Sequence, residues 1–275
     1  MISTLTFLAP SIAACILLSA ILGYYGNHIL TRGIIFIDIA VAQIAALGTL
    51  LGILIGFAEE SGQTQFVSYG FTTIAITVFS LTKTKKQIIP QEAIIGIFYC
   101  IALGIALLLA EKIPGGSNFI TKTITGNILW VTWKNILSCF LFLAVIAAIL
   151  IFLDKRLKEV TFNSISTESN IKRIKLLDVL FYISFGFVIV KAVPILGIFL
   201  VFILLIAPAA IMRMFTQNWK KQLIWSWIAG SLGSIIGIYL SYSLNISNGP
   251  AIVCLLGITV FIICFYKLLF KSSAK

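Results

Sequence analysis

The chain is poor in charge and in the side chains that most often carry chemistry. Of its 275 residues only 11% are charged, while 60% are hydrophobic, and soluble domains usually carry about 25% charged residues. A single histidine in the sequence excludes a multi-histidine zinc site within this chain. The five cysteines include no Cys-x-x-Cys pair, so we expect them to be small buried hydrophobes.

The sequence also has no Gly-x-x-x-x-Gly-Lys-Ser/Thr phosphate loop. The chain therefore lacks that route to ATP hydrolysis, and we do not expect it to be an enzyme. Its net charge of +11 is spread over the ends of apolar segments instead of forming one patch. Such basic residues are typical of topology signals and contacts with anionic membrane lipids, and we expect no nucleic-acid partner.

Long apolar segments dominate what is present. A membrane-spanning helix needs about 20 apolar residues, and the sequence shows nine segments near that length. We therefore predict an all-α polytopic membrane protein with about eight to nine transmembrane helices, forming one domain over residues 1–275. The predicted segments are 6–26, 34–57, 66–82, 88–110, 135–153, 176–191, 195–212, 222–243 and 251–270.

The basic residues predict an orientation in the membrane. If the N-terminus lies outside and the C-terminus in the cytoplasm, 16 of the 20 Lys and Arg residues fall inside. Cytoplasmic loops carry such an excess, so a multi-pass membrane protein with this orientation is expected. The four basic residues left outside are Lys112, Lys122, Lys134 and Lys191.

Two connecting segments stand out from the others. The outer loop 111–134 is half apolar and contains Trp130 and Trp133, residues that favour the membrane interface, so a re-entrant or interfacial piece is expected there. The inner segment 154–175 is the longest polar stretch in the chain. It is either a short helix at the cytoplasmic face or a solvated linker.

The run from Arg32 to Gly48 places Asp38 and Gln43 among apolar and small residues. A carboxylate at membrane depth costs about 2.5–3.5 kcal/mol on insertion scales, so a cation, a proton or a buried partner must offset that cost. Asp38 is therefore either a functional group or the partner of Arg32 or of another helix. Glu92 and Asp178 begin predicted helices, where the helix dipole alone accounts for an acid.

Helix geometry limits what these side chains do together. Positions five apart, such as Asp38 and Gln43, diverge by about 140° on a straight helix. They face one site only if the helix is broken or the interface is wide. Pro208 removes a backbone hydrogen bond and is predicted to kink its helix, with Gly197 nearby as a second candidate gating position.

Four ordered blocks resemble the membrane permease subunits of bacterial ABC transporters for zinc, manganese or iron. The first is similar to the family stretch Arg-Arg-x-x-x-x-Gly-Asp-x-x-x-His-Ala, and the second to its Glu-Asp-x-x-Ile-Gly. Each block is weak alone, but their order and spacing together are specific. The blocks are residues 30–48; 91–96 with 126–133; 176–178 with 191–197 and 204–210; and 237–242 with 247–250.

This resemblance implies a permease of the metal-chelate or vitamin B12 importer type. It implies a homodimer around the translocation path, a separate ABC ATPase subunit that binds ATP, and an extracytoplasmic metal-binding protein. No cofactor would be bound by this chain. Asp38 and Gln43 would line the metal path, and the segment 154–175 would dock the ATPase. The docking residues expected there are Asn163, Ser164, Thr167 and Glu168.

One departure from the family pattern bears on the metal. The family has a histidine four residues after the aspartate, where this chain has Ala42 followed by Gln43. Carboxylate and amide oxygens suit manganese better than zinc, but weak ligation during passage leaves zinc and iron open. The expected function is import of a divalent transition metal. A stand-alone proton- or cation-coupled secondary transporter and a non-transporting scaffold are the alternatives.

Overall fold

The structure is a computed structural model that describes residues 2–59, 61–82, 89–162 and 171–271. Within those ranges the regular structure is helical: ten α-helices and one short 3-10 turn at Ile128–Trp130. The helices are α1 Ile2–Arg32, α2 Ile37–Leu54, α3 Gly62–Thr82, α4 Gln91–Ala110, α5 Gly116–Thr125, α6 Trp133–Phe162, α7 Ile171–Leu196, α8 Ile198–Phe215, α9 Trp219–Leu244 and α10 Asn248–Lys271.

Eight helices in the described part of the chain are long and apolar enough to cross a membrane. They correspond to eight of the nine predicted segments. The ninth segment, 66–82, lies in α3, which is 21 residues long and is not among those eight over its described residues. The all-helical, polytopic prediction is confirmed.

Helix α3 has hydroxyl side chains on the side that packs against other helices. Thr64, Ser68 and Thr72 recur every four residues and are all buried. The Ser68 hydroxyl donates to the carbonyl of Ala45 in α2 at 2.8 Å, and a Cβ atom on Gly48 would lie 2.8 Å from the Ser68 Cα. Small residues thus bring the two backbones close together, as in other membrane helix pairs.

Helix α2 is the most enclosed of the eight apolar spans. Of its span, 72% is buried inside the molecule, against 11% for α10, and it contacts α3, α4, α7 and α8. Most of α2, including Asp38 and Gln43, is therefore surrounded by protein.

Three boundaries differ from the sequence prediction. Helix α7 continues through Pro194 to Leu196, so the turn between segments six and seven lies at Gly197, which has a φ of +79°. The inner segment 154–175 is helical at both ends, because α6 reaches Phe162 and α7 starts at Ile171. The outer loop 111–134 contains α5 and the 3-10 turn.

The two ends of the helix bundle have different characters. At one end, which we call the basic end, Arg213 contacts Thr31 near the C-terminus of α1 and Lys267 contacts the Met214 carbonyl. The opposite end is built on glycine. Gly126 after α5 and Gly197 before α8 both have positive φ, and the Asn127 amide donates to the Ile195 carbonyl at 3.2 Å.

We call the contact between Gly126 and Gly197 the glycine junction. It predicts that Gly→Ala substitutions at different glycines differ sharply in their effect on stability. A Cβ atom on Gly126 would collide with the Leu196 backbone, whereas Gly104 in α4 has open space around it. We expect Gly126→Ala to destabilise the protein by about 1–3 kcal/mol, because a strained conformation is added to the collision. Gly104→Ala should be neutral or stabilising by up to about 1 kcal/mol. Thermal midpoints of the purified proteins in detergent test this, and equal midpoints would contradict it.

Candidate functional site

Asp38 lies in the first turn of α2, one residue after the helix begins at Ile37. The preceding turn is fixed from both sides: Gly33 takes a φ of +68°, and the Ile35 amide donates to the Glu92 carboxylate at 2.9 Å. Glu92 therefore does more than match a helix dipole, because it anchors the α1–α2 turn to α4. The N-terminus of α2 favours a negative charge at Asp38.

The Asp38 side chain is enclosed and incompletely satisfied. The residue is only 2% exposed, and its Oδ1 atom has no hydrogen-bond partner among the described residues. Buried polar atoms are nearly always partnered, and a buried carboxylate is costly without compensation. Asp38 is thus an exception of the kind found at functional sites.

Arg32 is not the partner of Asp38. Its Nη1 atom lies 2.7 Å from Oδ1 of Asp178 in α7, and the two side chains are 3% and 7% exposed. Its other guanidinium nitrogens donate to the Thr161 hydroxyl in α6. Arg32 is therefore committed to α6 and α7, and Asp178 belongs to a buried ion pair instead of a simple helix-start position.

Gln43 lies further along the same helix and is 4% exposed. Helix α2 runs without a break from Ile37 to Leu54, so the side chains of Asp38 and Gln43 leave its axis about 140° apart. The structure encloses both residues but does not bring them together on one side of α2.

The two predicted gating residues occupy different places. Pro208 is buried inside α8, which continues on both sides of it, and its carbonyl accepts a hydrogen bond from the Ser226 hydroxyl of α9 at 3.4 Å. Gly197 is the single residue between α7 and α8, and its backbone is in close contact with that of Gly126. Pro208 therefore lies at a helix contact, and Gly197 lies in the glycine junction.

The predicted ATPase-docking residues Asn163, Ser164, Thr167 and Glu168 lie outside the described residues. What the structure describes are the two helices that flank them. The last residues of α6 and the first turns of α7 converge on Arg32, an arrangement that the sequence prediction missed. The only signal for it in the sequence was that Arg32 and Asp178 fall at predicted segment ends on the same side of the membrane.

No set of three metal-binding side chains converges anywhere in the described ranges, and the five cysteines are free. Any site for a metal ion on α2 therefore starts from one carboxylate per chain.

The sequence model of the ABC 3 transport family matches residues 4–267. The chain belongs to the ABC 3 transport family. It is similar to the manganese transport system membrane protein MntC of Listeria monocytogenes, with 24% identity over 94% of this chain and 89% of the relative. It is also similar to the manganese import system permease protein ScaB of Streptococcus parasanguinis, with 26% identity over 94% and 90%.

Two solved structures share the fold. PsaBC from Streptococcus pneumoniae, solved in complex with Fab, has a TM-score of 0.75 at 22% identity and covers 95% of this chain and 93% of that one. An inward-facing putative metal-chelate type ABC transporter has a TM-score of 0.70 at 18% identity, with coverages of 94% and 85%. The predicted permease architecture of the metal-chelate type is confirmed.

The two buried acids predict opposite results on neutralisation. Asp38→Asn should change stability by less than about 1 kcal/mol, because it removes a costly buried charge without breaking an ion pair. Asp178→Asn should cost about 3–5 kcal/mol, because it leaves the Arg32 charge uncompensated. Thermal midpoints of the two variants in one detergent measure this. A larger loss for Asp38→Asn than for Asp178→Asn would show that Asp38 is structural.

Proposed function

We propose that this chain is the permease subunit of an ATP-driven importer of a divalent transition metal ion, with Mn²⁺ as its substrate. The observation that carries the proposal is Asp38, a buried carboxylate with an unpartnered oxygen on the most enclosed span. Membership of the ABC 3 transport family and the manganese relatives support the choice of substrate class.

The ligand chemistry favours manganese over zinc. Asp38 and Gln43 offer oxygen atoms, and hard ions such as Mn²⁺ prefer carboxylate, carbonyl and water ligands, whereas zinc prefers imidazole and thiolate. One carboxylate per chain also suits conduction, which requires binding strong enough for entry and weak enough for release. Zinc and iron remain competing substrates for the experiment below.

A homodimer would double the ligand set. Two copies related by a two-fold axis present the same surface to each other, so each could bring one Asp38 toward a shared path. Gln43, which leaves α2 on another side, would then have a lesser part in the path. The ligand count supports this assembly, since a single carboxylate is a poor site for a divalent ion.

The motor and the delivery protein would be separate subunits. The 275 residues hold no phosphate loop, so ATP would be hydrolysed by an ABC ATPase at the cytoplasmic face, and an extracytoplasmic protein would deliver the metal. We assign the basic end to the cytoplasm, since cytoplasmic loops are rich in Lys and Arg. The N-terminus of α1 then lies outside and the C-terminus of α10 inside, and the glycine junction faces the delivery protein.

Transport would require the helices around α2 to separate. In the conformation described here α3, α4, α7 and α8 contact α2, and Asp38 is covered. ATP-driven closure of the motor would displace the ends of α6 and α7, and the helices around Asp38 and Pro208 would then expose the path to one side at a time.

Uptake of radioactive manganese by cells that express the chain with its ATPase and binding protein tests the role of Asp38. Asp38→Asn should lower ATP-dependent uptake at least tenfold at equal membrane levels, since the loss of a charged ligand exceeds roughly 1.4 kcal/mol. Gln43→Leu should have a smaller effect. Glu111→Gln, which changes an exposed acid at the opposite end, is the matched control. Unchanged uptake in Asp38→Asn, or saturable uptake of zinc or iron instead of manganese, would contradict the proposal.

A buried unpartnered carboxylate would also serve a proton- or cation-coupled secondary transporter, and this alternative has its own test. The purified chain in liposomes, without ATPase and with an imposed proton gradient, should take up no manganese. Gradient-driven uptake that is lost in Asp38→Asn would favour the secondary transporter and remove the need for a motor.

A further inference from the structure

Arg32, the last residue of α1, is buried at the basic end and contacts two other helices through its guanidinium group. Nη1 pairs with Asp178 of α7 at 2.7 Å, while Nε and Nη2 donate to the Thr161 hydroxyl of α6 at 3.2 and 3.1 Å. The guanidinium also lies 4.2 Å from the ring centre of Phe181. A planar guanidinium makes several such contacts at once, which a lysine does not.

Thr161 also contacts His28 of α1, whose ring reaches a fourth helix. The Thr161 hydroxyl donates to the Leu157 carbonyl at 2.8 Å and lies 2.8 Å from His28 Nδ1. The His28 ring meets the edge of Trp219 in α9, with ring centres 4.7 Å apart. We call Arg32, Asp178, Thr161 and His28 the Arg32 cluster. Their side chains are buried and join α1, α6 and α7, with α9 packed against His28.

The cluster lies between the two parts of the molecule that transport must connect. On one side, Thr161 is one residue before the end of α6 and Asp178 lies in the second turn of α7. These are the two helices that flank the segment proposed to receive the ATPase. On the other side, Arg32 is followed by a four-residue turn and then by α2, which carries Asp38.

The turn after Arg32 is fixed by contacts with α4 and α8. A displacement of Arg32 would therefore move α2, because no flexible loop lies between them to take up the movement. The Ile35 amide is bonded to Glu92 of α4, and the Phe36 ring stacks on Phe202 of α8 with ring centres 6.5 Å apart. Phe36 is directly before the first residue of α2. Short, held connections transmit rigid-body movement better than flexible loops.

We infer that Arg32 is a positioning residue for transport: through Asp178 and Thr161 it relays movement of the ends of α6 and α7 to α2 and hence to Asp38. The inference rests on the proposed function. Breaking a buried charge-assisted pair is costly, so α1, α6 and α7 would move at this end as one unit. The same contacts would also stabilise the fold, and the test must separate the two roles.

The ratio of manganese transported to ATP hydrolysed separates them, because a contact that only stabilises the fold would not change it. The test uses the permease assembled with its ATPase in liposomes that contain the binding protein, with Mn²⁺ as substrate. Thr161→Val keeps the volume of the side chain but loses its hydroxyl bonds to Arg32 and His28, and it leaves the Arg32–Asp178 pair in place. The ratio should fall by at least about fivefold, the lower end of typical coupling between sites.

Thr161→Ser is the matched control, because it keeps the hydroxyl and loses only a methyl group. Its ratio should stay near that of the unchanged protein. Asp178→Asn should also lower the ratio, but this variant carries an uncompensated buried charge. If it does not assemble, the comparison of Thr161→Val with Thr161→Ser is the deciding test.

Three outcomes would overturn the inference. A ratio in Thr161→Val equal to that of the unchanged protein, whether or not both rates fall, would make the cluster structural. An equal fall in Thr161→Val and Thr161→Ser would show that the ratio does not depend on the hydroxyl bonds, since Ser keeps the hydroxyl that Val lacks. If the unsubstituted assembly hydrolyses ATP without moving manganese, the proposed function fails, and the relay fails with it. This outcome is distinguishable from a failure of the relay alone, because it is seen in the unsubstituted protein.

Discussion

The burial of one carboxylate with an unpartnered oxygen atom is the constraint on which the account of this molecule depends. A charge at membrane depth is expensive, and Asp38 lies buried in the first turn of α2, a helix whose small residues allow α3 to approach closely. Arg32, the nearest cation along the chain, is engaged elsewhere. We propose that a passing cation offsets this cost.

The two ends of the helix bundle are held together by different kinds of contact. At the glycine junction, backbones touch directly, and side chains larger than hydrogen are excluded at Gly126 and Gly197. At the basic end the contacts are ionic and aromatic and join helices through side chains, with Arg32 at their centre. Backbone contact fixes geometry, whereas a side-chain cluster moves as a unit, so movement is expected at the basic end and the glycine junction is expected to keep its shape.

Local patterns predicted the architecture well. The apolar segments identified the long helices, and α3 carries the buried hydroxyls of Thr64 and Ser68, which donate to the carbonyls of Ala58 and Ala45. The position of the turn at Gly197 depended on a positive φ and a contact with Gly126, neither of which hydropathy reveals. For the site, burial of Asp38 was foreseeable from its apolar surroundings. The partner of Arg32 was not, because Asp178 lies 146 positions away and no local rule connects them.

The position of manganese in the assembled transporter tests the central claim most directly. Anomalous diffraction from crystals of the permease with its ATPase, soaked in Mn²⁺, would locate the ion independently of transport rates. The account predicts a manganese peak in direct contact with the Asp38 carboxylate and no such peak in Asp38→Asn crystals. A manganese peak within the spans that lies away from Asp38, or one that persists unchanged in the variant, would contradict it.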